Sequence, residues 1–264
     1  MGVAFDTVAF SAANPTATFG TVAPTVASGD SFTVRAYPVQ TALARLFRVI
    51  RQGVTTGGVR VLSPLLHDNV RGITILTTET PAVFAFPREV QQILRPQDTL
   101  VVQLSGGAAE TDAGALLIYY SDLPGASARL YSPADIGPRI KSIKPLEVDF
   151  TTVVAGTGWL DTVITATEDL THANTDYAVL GYTCDTACTA VGIKGIDTSN
   201  LRVCGPGSTS SLVTGDYFWE NSVRENLPMI PVFNSANKGA TFVSAFAVAA
   251  AATKVILNLA ELNP

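Results

Sequence analysis

Short apolar segments alternate with turn residues along the chain, and this pattern predicts β-strands rather than long helices. In residues 31–37, Phe32, Val34 and Ala36 alternate with polar residues directly after the turn signal Ser28-Gly29-Asp30. Further strands are expected where β-branched and aromatic residues cluster between prolines and glycines. In the first part of the chain these segments are residues 59–62, 73–77, 82–86, 99–104 and 115–120.

Three features of this first part need separate treatment. Residues 43–50 are apolar and β-branched, but their arginines fall at helical spacing, so helix and strand both stay open. Residues 88–94 have a helical pattern that Pro96 stops, which predicts one short helix. The segments 99–104 and 115–120 flank a Gly-Gly turn and an acidic loop, and they predict a hairpin with a long connection.

The periodicity fades between residues 122 and 145, where four prolines and two glycines mark a boundary. A second β series follows. Its predicted strands are residues 148–154, 162–167, 177–182, 190–193, 201–204, 217–219, 229–233, 241–248 and 254–259.

These patterns divide the chain into four parts. Residues 11–27 are rich in proline and threonine and have too little amphipathic pattern to fold alone, which predicts an N-terminal arm over residues 1–27. A first β module is expected at 28–123, a linker at 124–147 and a second β module at 148–264.

The two β series end alike. An apolar strand runs into an acid-leucine pair at Asp122-Leu123 in the first and at Glu261-Leu262 in the second. Upstream, residues 81–86 and 228–233 place proline and phenylalanine at matched spacing. Because the intervals to the closing acid are 41 and 33 residues, a structural duplication and a chance similarity of apolar strands both stay open.

Composition excludes several classes of protein. With 47% hydrophobic and 15% charged residues the chain can bury a large core, so intrinsic disorder is excluded. The net charge of −5 gives no general polyanion-binding signature. The N-terminus lacks a basic segment, so we expect no secretory signal, and the longest apolar run, residues 242–252, is too short to span a bilayer as a helix.

Cys184, Cys188 and Cys204 form a local set with an odd count. Buried free thiols are one interpretation, and a disulfide from Cys204 to either partner is the second, provided that two strands meet there. A metal site needs a fourth ligand, and the nearest histidine, His172, lacks metal-site spacing. We therefore expect no metal.

Catalytic chemistry has little support in the sequence. Gly29-Asp30-Ser31-Phe32 resembles the nucleophile block of GDSL-type hydrolases, which implies a late histidine base beside an aspartate. The last histidine, His172, lacks that aspartate, and His67-Asp68 sits in a loop pattern. We expect no enzyme and no cofactor. A hydrolase on a β scaffold stays as an alternative that predicts a pocket with perturbed acids.

Arginines without lysines are concentrated in the first module. Arginine suits bidentate contacts to carboxylate or phosphate, so these side chains predict a basic face toward nucleic acid, lipid headgroups or another subunit. Ion pairs across a subunit interface, or solvated strand edges, are the alternatives. The residues are Arg45, Arg48, Arg51, Arg60 and Arg71.

The whole chain resembles viral, phage-like coat proteins of the double jelly-roll kind. The resemblance rests on two successive β series with a Pro/Gly joint, the Pro-Thr-Ala-Thr and Ala-Pro-Thr-Val segments within residues 14–26, and the paired endings at 120–123 and 259–262. It implies an all-β fold with two antiparallel jelly-roll modules per subunit, and trimers that tile an icosahedral shell. One jelly roll with an added β domain is the alternative.

The function expected from this resemblance is a major capsid subunit located in the virion. Its partners would be copies of itself and other capsid proteins, with nucleic acid or an internal membrane as further contacts. Aromatic residues are candidates for interface anchors or for the core, namely Trp159, Trp219, Tyr119 and Tyr120. The alternative is a β-sandwich binding or adhesion module for carbohydrate or a host surface, with Trp219-Glu220-Asn221 exposed on a loop face.

Overall fold

The computed structural model has 56% strand and 14% helix, which confirms the prediction of a β-rich antiparallel protein. It describes residues 2–35, 43–65, 72–77, 82–85, 92–123, 128–153, 158–164, 170, 172–208, 211–247 and 251–264.

The described residues of the first half of the chain form nine strands. They are β1 (Gly2–Ala13), β2 (Thr25–Val26), β3 (Leu43–Gln52), β4 (Gly57–Leu62), β5 (Ile73–Thr77), β6 (Ala82–Ala85), β7 (Gln92–Leu94), β8 (Val101–Ser105) and β9 (Thr111–Leu123). The predicted strand at residues 31–37 reduces, in its described part, to a single bridge between Thr33 and Thr99.

In the second half, the part of the chain that the structure describes forms nine further strands and three helices. The strands are β10 (Leu130–Tyr131), β11 (Ile140–Val153), β12 (Leu160–Val163), β13 (Asp176–Cys184), β14 (Cys188–Gly195), β15 (Arg202–Gly207), β16 (Ile230–Asn234), β17 (Thr241–Phe246) and β18 (Ala251–Leu262). The helices are α1 (Pro133–Ile136), α2 (Ser211–Thr214) and α3 (Tyr217–Glu225), with 3-10 turns at Gly137–Arg139, Ile196–Thr198 and Ser235–Ala240.

Each described sheet takes its strands from one half of the chain. The first half forms a six-stranded sheet in the order β2-β1-β9-β3-β6, with β7 also paired to β3, and a three-stranded sheet β5-β4-β8. The second half forms a five-stranded sheet β10-β16-β13-β18-β11 and a four-stranded sheet β12-β17-β14-β15.

The strand orders of the two halves correspond. In the larger sheets, β1-β9-β3-β6 matches β11-β18-β13-β16, so the first long strand of each half, β1 or β11, lies beside the last strand of that half. In the smaller sheets, β8-β4-β5 matches β17-β14-β15. The similar endings of the two β series, β9 and β18, therefore occupy equivalent positions in their sheets.

The six-stranded sheet is buried on both faces along its central strands. β1 is buried at ten of its twelve positions, and β9 is buried continuously from residue 112 to 120. Phe5 on β1 packs edge-on against Phe47 of β3, with ring centroids 5.6 Å apart. The sequence of a strand that is covered on both faces is a continuous apolar run without alternation. For this reason the pattern of residues 43–50 was compatible with both helix and strand.

The prediction of an N-terminal arm over residues 1–27 is wrong for residues 2–13. These residues form β1, which pairs with β9 from Gly2 to Ala13 and lies inside the six-stranded sheet. The apolar residues of β1 gain burial on both faces, and this outweighs the weak local pattern.

The predicted linker over residues 124–147 is also too long. Residues 140–147 belong to β11, which pairs with β18. Apolar and polar residues alternate in the second part of this strand, where Leu146 and Val148 are buried and Glu147 is exposed. The sequence did not predict a strand at 140–147 because proline, here Pro145, is rare within strands.

Three local predictions were wrong because tertiary pairing decided the outcome. In the predicted helix at 88–94, the described residues 92–94 form β7, paired to β3. Residues 217–219, predicted as a strand, begin helix α3. The predicted hairpin of 99–104 with 115–120 does not form, since β8 pairs with β4 and β9 pairs with β1 and β3.

Candidate functional site

The two halves of the chain meet along one buried contact, named here the seam. It is formed by β1, β3 and β9 of the six-stranded sheet against β14 and β15 of the four-stranded sheet, with α3 beside them. Buried polar side chains cross the seam in three places. Because a buried polar group costs free energy unless it is paired, these contacts favour one docking arrangement of the two halves.

Asp30 makes the first crossing. Its Oδ2 accepts hydrogen bonds from the backbone N–H of Ala9 on β1 (2.8 Å) and from Nε1 of Trp159 (2.7 Å). Its Oδ1 accepts from Nη1 of Arg202 on β15, at 3.2 Å. One carboxylate, 5% exposed, therefore joins β1 to two elements of the second half.

Arg202 extends this crossing into the second half. Its guanidinium lies over the ring of Trp159, 4.8 Å from the centroid, and its Nη2 donates to Asp161 at 3.1 Å. Asp161 also accepts from Ser244 Oγ at 2.6 Å. The backbone carbonyl of Arg202 accepts from Thr7 Oγ1 of β1 at 3.0 Å. Arg202 therefore connects the two halves both by an ion pair, with Asp30, and by a backbone hydrogen bond, with Thr7.

Burial raises the pKa of Asp30 to about 6, because desolvation of the carboxylate outweighs the stabilising effect of its donors and of Arg202. A carboxyl group with a pKa near neutrality is suited to proton transfer. Here, however, Ala9, Trp159 and Arg202 all donate hydrogen bonds to its two oxygens. The Asp30 carboxylate therefore connects the two halves and is not arranged for catalysis.

The pKa of Asp30 predicts how stability depends on pH. The folded-state pKa of about 6 lies above the unfolded value of 3.8, so the folded protein binds more protons between these values and loses stability as the pH rises through them. Between about pH 4.5 and 7 this contribution falls by about 2 kcal/mol. In Asp30→Asn it should be absent. Urea unfolding of both proteins across this range measures the difference, and parallel pH profiles would contradict the prediction.

Arg48 makes the second crossing. Its Nη2 donates to Asn221 Oδ1 at 2.5 Å and lies 3.3 Å from Glu225 Oε1, both on α3. Asn221 in turn donates from Nδ2 to the carbonyl of Tyr217, at 2.6 Å. The guanidinium also lies over the ring of Phe47, 4.4 Å from its centroid. Burial lowers the pKa of Arg48.

Gln52 makes the third crossing. Thr189 of β14 donates from Oγ1 to Gln52 Oε1 at 2.6 Å, and Gln52 Nε2 donates to the carbonyl of Ala187 at 3.3 Å. Both functional groups of one buried amide are thus used to join the end of β3 to the beginning of β14. This pairing determines which end of the Gln52 amide is the oxygen and which is the nitrogen.

A buried ion pair lies within the first half, next to Gln52. Arg51 Nη2 lies 2.5 Å from Asp112 Oδ2, and the side chains are 2% and 0% exposed. Three glycines surround the pair, and a Cβ atom on any of them would collide with its atoms. These glycines are Gly53, Gly57 and Gly106.

The structure separates the five predicted arginines. Arg48 and Arg51 are buried and paired with carboxylates of the same chain, so the prediction of a basic face for nucleic acid, lipid or another subunit is wrong for them. Arg45 is half-buried, and Arg60 lies over the ring of Phe19 and donates to Thr74 Oγ1 at 3.1 Å. Arg71 lies outside the described residues.

The three cysteines are free and buried, in agreement with the first interpretation of the sequence. The thiol of Cys188 donates to the backbone carbonyl of Thr186, with 3.5 Å between sulfur and oxygen. Cys204 lies on β15, and burial raises the pKa of its thiol. The predicted disulfide from Cys204 is not present.

The residues of the hydrolase alternative are not brought together. Ser31 Oγ accepts from the backbone N–H of Thr33 at 3.0 Å, while Nδ1 of His172 lies 3.4 Å from Oε1 of Glu261. Hydrogen bonds from Lys141 and Lys144, against the cost of desolvation, lower the pKa of Glu261 to about 2. His67 and Asp68 lie outside the described residues.

The aromatic candidates mostly belong to the interior. Tyr119 and Tyr120 are 2% and 1% exposed in β9, and Trp159 lies in the seam. On α3, Trp219 is half-buried and Asn221 is buried. The residues proposed for a loop-borne binding face therefore lie on a helix, with one of the three turned into the protein.

A polar cavity of about 300 Å³ lies at one end of the second half. It is lined by Arg139, Asn174, Thr175, Asp176, Asn234, Leu262, Asn263 and Pro264. Asp176 is held there by a bidentate pair from Arg129, with distances of 2.6 and 3.1 Å, and by Asn234 Nδ2 at 2.8 Å.

The helices of the described part of the chain are all too short to cross a membrane. Groups of three or more histidine, cysteine, aspartate or glutamate residues arranged to hold a metal ion are not found among the described residues.

Comparisons with known proteins do not assign the chain to a family. No protein-family model matches the sequence, and no curated protein matches it. One solved structure, described as the crystal structure of PBSX exported protein XepA, aligns with 86% of this chain and 83% of its own at 8% identity, with a TM-score of 0.19. A similarity this weak supports no conclusion about fold or function.

Sequence reasoning missed the residues that carry the seam. The sequence marks Asp30 only as part of a Gly-Asp-Ser turn, and it marks neither Glu225 nor Asp112, which pairs with Arg51 within the first half. An indirect signal existed: the arginines at 48 and 51 lie within an apolar segment, and a charge predicted to be buried requires a carboxylate partner.

Proposed function

We propose that this chain is a structural subunit of a viral coat, built from two jelly-roll modules and located in the virion. The observation that carries the proposal is the shared strand order of the two halves, β1-β9-β3-β6 with β8-β4-β5 and β11-β18-β13-β16 with β17-β14-β15. Jelly rolls, common among capsid domains, fold eight strands into two four-stranded sheets.

The described strands of the second half support the proposal, because eight of them divide between two sheets as in such a module. β11, β18, β13 and β16 are consecutive neighbours in one sheet, and β12, β17, β14 and β15 form the other. The first half supplies seven equivalents. At the eighth position, next to the start of β8, the bridge between Thr33 and Thr99 stands where β12 pairs with β17. This supports duplication of one module over one jelly roll with an added domain.

The seam supports a subunit that acts as one block. Shell assembly requires that a subunit present its contact surfaces in fixed relative positions. Here three buried polar crossings and a continuous apolar core hold the two modules together. Leaving a buried neutral group without its partner costs about 1–3 kcal/mol, and leaving a buried charge without its partner costs about 3–5 kcal/mol, so relative motion of the modules is opposed.

The sheet edges suggest where subunits would meet. In its described sheet, β11 is an edge strand, and it carries Pro145 with the exposed Lys141, Glu147 and Asp149. Proline and charge on an edge oppose strand pairing with a second chain. We therefore assign the contacts between copies to exposed apolar side chains, of which Leu212 (94% exposed) and Val54 (87%) are the most prominent.

Copies of the chain itself are the proposed partners, with other coat proteins as further neighbours. Purified protein should form trimers, and larger assemblies as its concentration rises, because a shell subunit buries more than the roughly 1,600 Å² of a standard interface. Light scattering after size-exclusion chromatography, followed by electron microscopy, measures this. A single monomeric species at high concentration would rule the coat function out.

Substitutions on the exposed apolar residues refine this experiment. Leu212→Glu and Val54→Glu should each shift the assembly midpoint to at least about tenfold higher protein concentration, since tenfold corresponds to 1.4 kcal/mol. The control is Ala17→Glu, which places the same charge at an exposed position with little apolar area to lose. Equal effects of all three changes would indicate a charge effect alone and would contradict the assigned contacts.

A further inference from the structure

The seam joins two unlike surfaces. One is the six-stranded sheet of the first half, and the other is a face of the four-stranded sheet of the second half. Thr7 of β1 donates from Oγ1 to the carbonyl of Arg202 on β15 at 3.0 Å, and Asp30 lies 3.2 Å from the guanidinium of the same arginine. A contact between unlike surfaces can be repeated from copy to copy, provided that each copy presents both surfaces.

The first half has a sheet face that corresponds to the face of β14 and β15. β4 carries Gly58-Val59-Arg60 where β14 carries Gly192-Ile193-Lys194, and a serine lies opposite each glycine, Ser105 in β8 and Ser244 in β17. A Cβ atom on either glycine would collide with a backbone carbonyl of the neighbouring strand, β5 or β15. The two small sheets therefore agree in register as well as in strand order.

This register gives Arg202 a counterpart in the first half. Arg202 lies opposite Lys194 in the pairing of β14 with β15, and Thr74 lies opposite Arg60 in the pairing of β4 with β5. Thr74 therefore occupies the position of Arg202. The side chain of Arg202 is only 11% exposed at the seam, whereas Thr74 and its neighbour on the same face, Leu76, are both exposed.

The second half has a counterpart of the surface that β1 and β9 present to the seam. Thr7 of β1 lies opposite Leu117 of β9. When the acid-leucine pairs that end β9 and β18 are aligned, Ile256 takes the place of Leu117, and Ile256 lies opposite Glu147 of β11. Glu147 is therefore the counterpart of Thr7. Thr7 is 1% exposed, whereas Glu147 is exposed.

We propose that the sheet face carrying Thr74 in one copy packs against the sheet face carrying Glu147 in the next copy, in the arrangement of the seam. The proposal rests on the coat function and on the duplication proposed above. By correspondence with the contact between β1 and β15, Glu147 of one copy lies beside Thr74 of its neighbour. Each copy presents both faces, so three copies close into the head-to-tail ring of a trimer.

The two faces carry opposite charge at this contact. Arg60 donates from Nε to Thr74 Oγ1 at 3.1 Å, which places its guanidinium beside the contact. On the other face, Glu147 and Asp149 lie on the same side of β11, and Lys254 forms ion pairs with both. These three side chains leave one negative charge, opposite to that of Arg60. Such complementarity favours the contact and fixes its orientation.

Exposed apolar side chains accompany these charges. Leu76 is exposed beside Thr74, and Ile143 is exposed on the side of β11 that carries Glu147. The carbonyl of Gly215, directly after α2, accepts from Asn258 Nδ2 of β18 at 2.7 Å. Helix α2 therefore lies at the margin of this face, and the contact assigned above to its Leu212 is continuous with the proposed one.

Paired cysteine variants test the proposal. Thr74→Cys and Glu147→Cys are made separately in the full chain, whose native thiols are buried. Mixed as dilute monomers, concentrated and oxidised, the two variants should form a disulfide-linked dimer that neither forms alone, because positions in direct contact are within reach of a disulfide. Ala236→Cys, exposed in the turn at Ser235–Ala240, is the matched control and should not link to Glu147→Cys.

Charge reversal gives an independent readout of the same contact. Arg60→Glu and Glu147→Arg should each raise the protein concentration at the midpoint of assembly at least tenfold. The chain that carries both changes restores the opposite charges at every contact, so it should recover most of the loss. Light scattering measures the three midpoints.

The outcomes separate this contact from the coat function. Assembly without the mixed disulfide, or a disulfide that one variant forms with itself, would overturn the proposed contact and leave the coat function standing. A protein that stays monomeric and forms no disulfide link at high concentration would overturn both.

Discussion

A chain lacking residues 1–13 should fail to fold, because this deletion removes a strand from within the six-stranded sheet. β1 pairs with β9 along its whole length and contributes Phe5, Val8 and Phe10 to the core. Loss of the two phenylalanines alone costs about 6–10 kcal/mol, which is comparable with the whole stability of a typical domain, about 5–15 kcal/mol. Soluble yield, circular dichroism and size-exclusion chromatography measure the outcome.

Single substitutions test the same prediction by measuring how much one side chain of β1 contributes to the free energy of unfolding. Phe5→Ala, at a position that is 1% exposed, should lower the free energy of unfolding by about 3–5 kcal/mol. Phe19→Ala is the matched control: its ring is half-buried in a loop beside Arg60, and its loss should cost about 1 kcal/mol. If the truncated chain folded with an unchanged melting temperature, residues 1–13 would be an arm after all.

Disruption of the pair formed by Arg51 and Asp112 should be the second large effect. Asp112→Ala leaves a guanidinium that is 2% exposed without its countercharge, at an expected cost of about 3–5 kcal/mol. Arg51→Met combined with Asp112→Ala removes both charges, and it should recover about 2 kcal/mol of this loss. Urea unfolding of the single and double variants gives both numbers.

A surface ion pair serves as the control for this comparison. Lys254 Nζ lies 2.5 Å from Glu147 Oε1, with both side chains about half exposed. Glu147→Ala should leave the free energy of unfolding almost unchanged, because solvent screens an exposed ion pair. A double variant at positions 51 and 112 that lost as much free energy of unfolding as the two single variants together would contradict the interaction that the geometry of the pair indicates.

Strand positions could be predicted from the sequence because they depend on local alternation and on turn residues. The segments at 73–77 and 229–233 lie at β5 and β16 within one residue of their bounds. Strands with one solvent-exposed face show alternating polar and apolar residues, as at the exposed Glu147 and the buried Val148 of β11. The division of the sheets near residue 123 also had a signal, in the loss of periodicity after that point.

The seam could not be predicted, because its partners are far apart in sequence. Arg48 meets Glu225 across 177 positions, and Asp30 meets Arg202 across 172. Periodicity also fails where a strand is covered on both faces, so β1 was mistaken for an arm and β3 stayed ambiguous. In both cases the second layer that covers the strand comes from the other half of the chain.

Burial of the six-stranded sheet on both faces has a consequence for synthesis. The ribosome completes the first half, including all strands of that sheet, before β14 and β15 exist. Until they emerge, the face that will form the seam is exposed to water with its apolar residues and with Arg48 lacking Glu225. Domains usually fold one by one as they are made. The nascent first half therefore waits in an aggregation-prone state, and the last third of translation sets the time at which the native protein first becomes stable.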